Sequence, residues 1–319
     1  MEADNSFDAD STFGGDSKAS STTSLRSEVF KYEIYNGRRY HGYKAGTYLY
    51  PNDEKELNRL DIEHHNQGLQ LDGALHLSPL VDPQEILDLG TGTGIWAMDM
   101  ADEYPSAQVM GTDLSPTQPP WVAPNINFEI DDFRQEWTYG PDRFDFIHAR
   151  FLIASVEDFP ALFRQAYHAL KPGGWFEINE VETMVYCDDG TFPRDSSAIK
   201  WAGWLVEAFA KLGRPWPKGD ELKTMVEGAG FVEVQLRELK RPTNDWPKDK
   251  KMKEIGRFTC LNYLEGLEGF TMGPFTRLLG WKEEEVQVLI ANIRREFTTR
   301  SMHGYQKGYE LCVRSLRSC

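Results

Sequence analysis

The stretch Glu85-Ile86-Leu87-Asp88-Leu89-Gly90-Thr91-Gly92-Thr93-Gly94-Ile95 decides the fold of this chain. A short apolar run contains an acid near its end, and glycine then occupies three alternate positions. This order is typical of the first strand of an α/β sheet, where a glycine turn opens a nucleoside pocket. Glycine allows the tight turn and leaves no Cβ between the backbone and a ligand. A dinucleotide fingerprint G-x-G-x-x-G would require glycine where the chain has Ile95.

Composition limits the classes of function. The chain has 319 residues, of which 40% are hydrophobic, and its net charge is −15. This length accommodates one large α/β domain with additions. Proteins that bind nucleic acid usually present a basic surface, so the acidic balance makes such a partner unlikely for this chain.

Cysteine usage and hydropathy indicate a reduced compartment. The four cysteines are scattered without a C-x-x-C pair, so no metal site is expected. No signal peptide is recognisable and no apolar run approaches the length of a membrane span. The sequence therefore predicts a cytoplasmic protein that contacts no membrane.

Three regions differ in composition. Residues 1–28 are rich in Ser, Thr, Asp and Gly and poor in large apolar side chains, which predicts a disordered tail. Residues 29–80 are rich in tyrosine and contain Asp53 followed by Glu56, a capping-box variant that predicts a helix to about residue 68. Residues 81–319 are expected to form the main domain, with cap helices at about 194–212 and 245–300.

Within the main domain, predicted strands and helices alternate. This order predicts right-handed βαβ units, a mostly parallel sheet with helices on both faces, and inserted cap helices. The predicted strands are 86–89, 108–112, 127–130, 144–148, 175–180, 231–239 and 308–314. The predicted helices are 95–103, 160–170, 196–212, 220–228, 249–268 and 283–298.

The spacing D-x-G-x-G-x-G in the opening stretch resembles motif I of S-adenosylmethionine (SAM)-dependent methyltransferases. SAM has no phosphate, so its pocket needs an acid for the ribose diol, polar groups at the adenine edge, and partners for the amino-acid end. The predicted cofactor residues in this stretch are Asp88, Gly90, Thr91, Gly92 and Gly94.

Acids at the ends of the next two strands complete the predicted adenosine site. Asp113, followed by Leu114, lies where a carboxylate can accept both ribose hydroxyls. Asp132 can accept from the adenine amino group, and Asp131 is the alternative for that role. The backbone amide of Phe133 can donate to the adenine ring.

The fourth strand brings two further polar side chains towards the site. Arg150 can pair with the methionine carboxylate of the cofactor or with an anionic substrate. His148 is a candidate catalytic base. A structural histidine and a surface ion pair are the alternative interpretations of these two residues.

Several segments between about residue 40 and residue 182 resemble the fungal LaeA-like (TAM-domain) methyltransferases. The Pro-Asn-Asp-Glu and His-His parts are more specific than the glycine loop. The segments are His41-Gly42-Tyr43-Lys44-Ala45-Gly46-Thr47-Tyr48-Leu49-Tyr50-Pro51-Asn52-Asp53-Glu54, Arg59-Leu60-Asp61-Ile62-Glu63-His64-His65, Phe144-Asp145-Phe146-Ile147-His148-Ala149-Arg150 and Leu170-Lys171-Pro172-Gly173-Gly174-Trp175.

The resemblance implies a class I methyltransferase fold whose segment 29–80 folds over the SAM site. It places Tyr43, Tyr48, Arg59 and His65 near cofactor or substrate. It also implies two roles, because the family includes a nuclear regulator of secondary metabolism that partners velvet proteins and enzymes that methylate small natural products. The nucleus is thus a second expected location.

Methyl transfer from SAM is an in-line displacement, and a base is needed only when the nucleophile arrives protonated. His148, His303 and Tyr305 are the candidates for that base. Trp201, Trp204 and Tyr305 would suit a flat aromatic substrate, although packing in the core is the stronger explanation for them.

Three functions are therefore open. The first is a methyltransferase acting on a small metabolite, with oxygen as the favoured acceptor atom. The second is a regulator that acts through protein partners, and the third is a NAD-dependent oxidoreductase, against which Ile95 and Asp132 argue. A closed aromatic cavity would favour the first function, and an open acidic groove would favour a basic protein tail as substrate.

Overall fold

The computed structural model describes residues 29–44, 46 and 48–316. The predicted tail, 1–28, lies outside the described residues. The chain then forms a small antiparallel hairpin of β1 (Glu33–Tyr35) and β2 (Arg38–Tyr40). Asn36 and Gly37 form its turn with φ angles of 49° and 72°. An Asn-Gly pair is a strong hairpin signal, and the sequence analysis missed it.

Seven strands form the main sheet in the order β5-β4-β3-β6-β7-β9-β8. The first five are mutually parallel, and β9 runs antiparallel to both β7 and β8. The strand order reverses between β3 and β6, where α/β sheets bind ligands at their carboxyl edge. The strands are β3 (Glu85–Leu89), β4 (Gln108–Asp113), β5 (Ile126–Ile130), β6 (Phe144–Arg150), β7 (Leu170–Val181), β8 (Val232–Pro242) and β9 (Tyr305–Arg314).

Seven α-helices lie within the described residues. They are α1 (Glu54–Gln70), α2 (Ile95–Glu103), α3 (Phe159–Ala169), α4 (Ser197–Ala210), α5 (Gly219–Gly228), α6 (Lys250–Leu278) and α7 (Glu283–Thr298). Helix α6 continues ten residues beyond its predicted end at 268. No helix in this part of the chain is both long and apolar enough to cross a membrane.

Alternating side chains of the parallel strands enter two separate cores. Leu87 and Ile147 pack with α3 and α5 in one core, whereas Ile86 and Phe146 pack with α2 in the other. Since successive strand residues point to opposite faces, this alternation requires helices on both sides of the sheet. The predicted class I α/β fold is confirmed.

A third core lies among the cap helices α4, α6 and α7. Trp201, Phe275 and Ile293 are buried there, and Leu49 from the segment before α1 joins them. Helix α6 carries glycines where that segment crosses it, and a Cβ on Gly273 would lie 2.9 Å from the carbonyl oxygen of Leu49. The glycines thus let the N-terminal segment pack directly on the cap.

Candidate active site

The glycine loop between β3 and α2 has the backbone that its sequence predicts. Gly90, Gly92 and Gly94 have φ angles of 66°, 59° and 80°, in the left-handed region that favours glycine. Space is also restricted, since a Cβ on Gly90 would lie 2.6 Å from Leu152 and one on Gly94 would lie 2.5 Å from Phe128. The loop therefore offers bare backbone at the carboxyl edge of the sheet.

Asp113 at the end of β4 is hydrogen-bonded to this loop. Its carboxylate accepts 2.9 Å hydrogen bonds from the backbone amides of Gly92 and Ser115. Burial raises the pKa of Asp113 to about 6, although these amides oppose the shift. An acid of this kind is desolvated and held in place, ready to accept hydroxyl donors from a ligand.

A cavity of about 230 Å³ extends from the glycine loop to the cap helices. Its lining is mostly apolar, with four carboxylates and four arginines among the described residues. The charged lining residues are Glu56, Glu63, Asp113, Glu182, Arg59, Arg134, Arg150 and Arg241.

Three of these arginines have carboxylate partners. Arg59 pairs with Glu56 at 2.7 Å, Arg134 pairs with Asp132 at 2.7 Å, and Arg241 pairs with Glu63. Arg150 contacts His64 instead, and no carboxylate of the described residues lies within 4.0 Å of its guanidinium. Burial lowers the pKa of Arg150, and the carboxylates of Asp88, Glu63, Asp99 and Asp61 act on it only from a distance, so a directly bound anionic ligand group would stabilise this cation.

Aromatic side chains from the N-terminal segment and the cap helices form an aromatic chamber within the cavity. Tyr48 and Tyr50 come from the segment before α1, Trp201 from α4, and Tyr263 and Phe270 from α6. Tyr50 packs edge-on against Phe270 with ring centroids 5.3 Å apart. The indole nitrogen of Trp201 donates to Thr271, so the hydrogen-bonding capacity of this ring is used within the protein.

The structure brings most of the predicted cofactor residues together. Those that line the cavity are Gly90, Thr91, Gly92, Asp113, Leu114, Phe133 and Arg150. Those absent from its lining are Tyr43, Asp88, Gly94, Asp131 and Asp132.

Asp132 was predicted to accept from adenine, but its carboxylate is already engaged. One oxygen accepts from Arg134 and the other from Lys44, both at 2.7 Å. Burial alone would raise the pKa of Asp132, but these cations lower it to about 2. The neighbouring Asp131 accepts from the backbone amide of Asp132. Neither acid lines the cavity, whereas Phe133 does, so the role of Asp132 or Asp131 at the adenine edge stays a prediction.

His148 was predicted as a base, but it lies beneath the site. Its Nδ1 is 2.8 Å from Asp88, and its ring stacks on Trp96 with centroids 3.7 Å apart. The side chain is fully buried, two residues before the end of β6. Arg150, on the same face of the strand but at its carboxyl end, reaches the cavity. The geometry assigns His148 and Asp88 a structural role.

Some of the predicted substrate residues line the cavity and others do not. Tyr48 and Trp201 line the cavity. His65 packs on Phe258 at 4.4 Å, and Trp204 packs on Trp281 at 4.8 Å. Neither reaches the cavity, because each faces a neighbouring helix or loop of the cap.

His303 and Tyr305 were candidate bases, and both lie away from the cavity. The His303 ring nitrogen Nδ1 is 2.6 Å from Asp189, and the Tyr305 hydroxyl donates to Asp188 at 2.8 Å. These contacts join β9 to the loop after β7, so the structure does not support either residue as a base.

Sequence reasoning missed several residues of the lining. Phe151 has a φ angle of 55°, which is unusual for a residue with a side chain, and Arg241, Glu63 and Glu182 come from distant segments. The Glu182 carboxylate accepts from the hydroxyls of Tyr186 and Tyr309. The acidic residues at 180–182 could have indicated this part of the site, because they end a parallel strand at the same edge of the sheet as Arg150.

The strand order, the glycine loop and the acid at the end of β4 define a class I SAM-dependent methyltransferase. A family profile described as a methyltransferase domain matches residues 62–236. The chain belongs to the fungal LaeA-like methyltransferases. SAM is its cofactor.

Three relatives illustrate the range of the family. Methyltransferase pytC of Aspergillus terreus is 44% identical over 89% of this chain and 88% of its own length. Secondary metabolism regulator LAE1 of Cochliobolus heterostrophus is 42% identical over 85% of this chain and 90% of its own. Protein-methionine methyltransferase laeA of Emericella nidulans is 36% identical over 88% of this chain and 76% of its own.

Proposed function

We propose that this methyltransferase transfers the methyl group of SAM to a small, largely apolar aromatic acceptor, most readily at oxygen. The observation that carries the proposal is one cavity that is lined by the glycine loop and Asp113 as well as by the aromatic chamber. Acids and arginines are equal in number in its lining, which differs from the acidic groove that a basic protein tail would require.

The residues at the sheet edge fit the cofactor. The glycine loop presents backbone without side chains, Asp113 suits the ribose diol, and Arg150 suits the carboxylate of the amino-acid end. When bound, SAM supplies a methyl group already activated by its sulfonium. The protein then needs to hold the acceptor in line and exclude water.

The aromatic chamber fits a flat acceptor. Its lining includes Tyr48, Tyr50, Trp201, Leu205 and Phe270. These side chains are held by contacts within the cap, since Tyr50 also packs on Phe209 at 5.7 Å. A preorganised apolar chamber of this kind binds a rigid ring with little loss of side-chain entropy.

No histidine lines the cavity in the described part of the chain, and the three glutamates of the lining are engaged. Glu56 and Glu63 pair with arginines, while Glu182 accepts from two tyrosines. This arrangement favours an acceptor that ionises without a strong base, such as a phenol or a carboxylic acid.

The proposal is tested with SAM labelled in its methyl group. The enzyme is incubated with a panel of phenols and aromatic carboxylic acids and, separately, with a mixed protein fraction. Label that moves into the organic extract, and that is lost in the Asp113→Ala variant, supports the proposal. Label that enters protein alone would overturn it.

A second candidate function rests on the similarity to proteins named as secondary metabolism regulators. In that case the enzyme would act in the nucleus on or with a velvet-type protein partner. Label entering such a partner, with the small-molecule panel unmodified, would favour this candidate.

A further inference from the structure

A chain of hydrogen bonds runs from Arg150 at the cavity wall to the protein surface. The Arg150 Nη1 atom lies 3.1 Å from Nδ1 of His64 on α1. The other ring nitrogen, Nε2 of His64, lies 2.8 Å from Asp99 on α2. The His64 side chain is 15% exposed and that of Asp99 is 44% exposed. Three elements around the glycine loop are therefore joined through one imidazole.

The chemistry of the partners determines the state of this imidazole. A guanidinium can only donate, so Nδ1 of His64 must accept and cannot carry a proton. Asp99 accepts, so the single ring proton belongs on Nε2. Burial and the positive charge of Arg150 lower the pKa of His64, and these effects outweigh the carboxylates of Asp99 and Asp61. The neutral form fits this environment.

We propose that His64 is a positioning residue, which holds the Arg150 guanidinium in place to bind the carboxylate of SAM. This inference rests on the proposed role of Arg150. An arginine side chain has many rotamers, and fixing one of them before binding removes an entropic cost from the cofactor. Asp99 in turn fixes the orientation of the imidazole, as carboxylates do for histidine elsewhere.

Helix α1 makes two further contacts with the cofactor loop. The Thr93 hydroxyl donates to Asp61 at 2.9 Å, and a Cβ on Gly92 would lie 3.3 Å from Leu60. Together with His64, these contacts place one face of α1 against the loop. His64 therefore belongs to a surface that already borders the cofactor end of the cavity.

Two substitutions test the roles of the two ring nitrogens of His64 separately. The side-chain oxygen of Asn can replace Nδ1 as the acceptor for Arg150, whereas the amide of Gln can reach Asp99 but leaves Nδ1 unreplaced. S-adenosylhomocysteine affinity, measured by calorimetry, should fall about tenfold in His64→Gln, the loss expected for one hydrogen bond to a charged group. It should fall less than threefold in His64→Asn. The KM for SAM should follow the affinities, with kcat at saturation unchanged.

The Arg150→Gln variant separates failure of this inference from failure of the proposed function. Unchanged affinity in Arg150→Gln would remove Arg150 from the cofactor site and overturn this inference, whereas the proposed acceptor class would still be decided by the label-transfer assay. A loss in Arg150→Gln with equal affinities in the two His64 variants would overturn the role of His64 alone. The Asp99→Ala variant alters the exposed end of the chain without disturbing packing. A three- to tenfold loss there would support the inference even if His64→Gln fails to fold, and no loss would overturn it.

Discussion

Replacing Asp113 with alanine tests the cofactor site most directly. The carboxylate is oriented by the amides of Gly92 and Ser115, and each of its oxygens retains room for another donor. Two hydroxyl hydrogen bonds to a charged acceptor contribute roughly 1.5 to 3 kcal/mol each, or about 3 to 6 kcal/mol together. At about 1.4 kcal/mol for each factor of ten, Asp113→Ala should weaken cofactor binding about 10²- to 10⁴-fold.

The assay is calorimetric titration with S-adenosylhomocysteine at pH 8, where Asp113 is ionised. Asp102→Ala is the matched control, because it removes an exposed acid from α2 without touching the cavity. The control should bind like the unmodified enzyme. An Asp113→Ala variant that remains folded and loses less than tenfold in affinity would show that this carboxylate does not hold the ribose.

Three further predictions use other features of the site. Because the pKa of Asp113 is about 6 and its ionised form accepts the hydroxyls, affinity for S-adenosylhomocysteine should fall about tenfold for each pH unit below 6. An affinity that stays constant from pH 7 to pH 5 would contradict this prediction. Gly94→Ala should lower the free energy of unfolding in urea by more than the roughly 1 to 2 kcal/mol that a left-handed backbone costs a residue with a side chain, because its Cβ also meets Phe128. The control Gly203→Ala, which adds a Cβ in open space on α4, should be neutral or stabilising. His148→Asn should lower the melting temperature but leave kcat within about threefold, because His148 packs on Trp96 beneath the site; a hundredfold loss of kcat at an unchanged melting temperature would restore it as a base.

The elements that could be predicted from sequence are those with a strong local pattern. Helix α2 begins and ends as predicted at Ile95–Glu103, and each predicted strand of the main sheet is present with its ends shifted by a few residues. Glycine spacing predicted the loop, because the left-handed backbone is a local requirement. Asp113 and Arg150 were predictable for a related reason: polar residues that follow buried parallel strands meet at one edge.

The roles of side chains that lie a short distance before the carboxyl edge of the sheet were harder to predict. His148 and Asp88 share the strands of the site, but they pair with each other across adjacent strands below it. The ion pair of Asp132 was not predictable because its partner Lys44 lies 88 residues away in the chain. Depth in the sheet and long-range ion pairs depend on the tertiary fold, and no local pattern reports them.

The region similar to other methyltransferase domains begins at residue 62, whereas Tyr48, Tyr50, Leu57 and Leu60 all lie on the cavity wall. A chain that begins at residue 62 would therefore lack these side chains, and one side of its reaction chamber would be open to water. Such a fragment would keep the glycine loop and lose the enclosure around the acceptor. Variation between Tyr48 and Leu60, upstream of the shared domain, is thus a direct route by which related enzymes can acquire different acceptors.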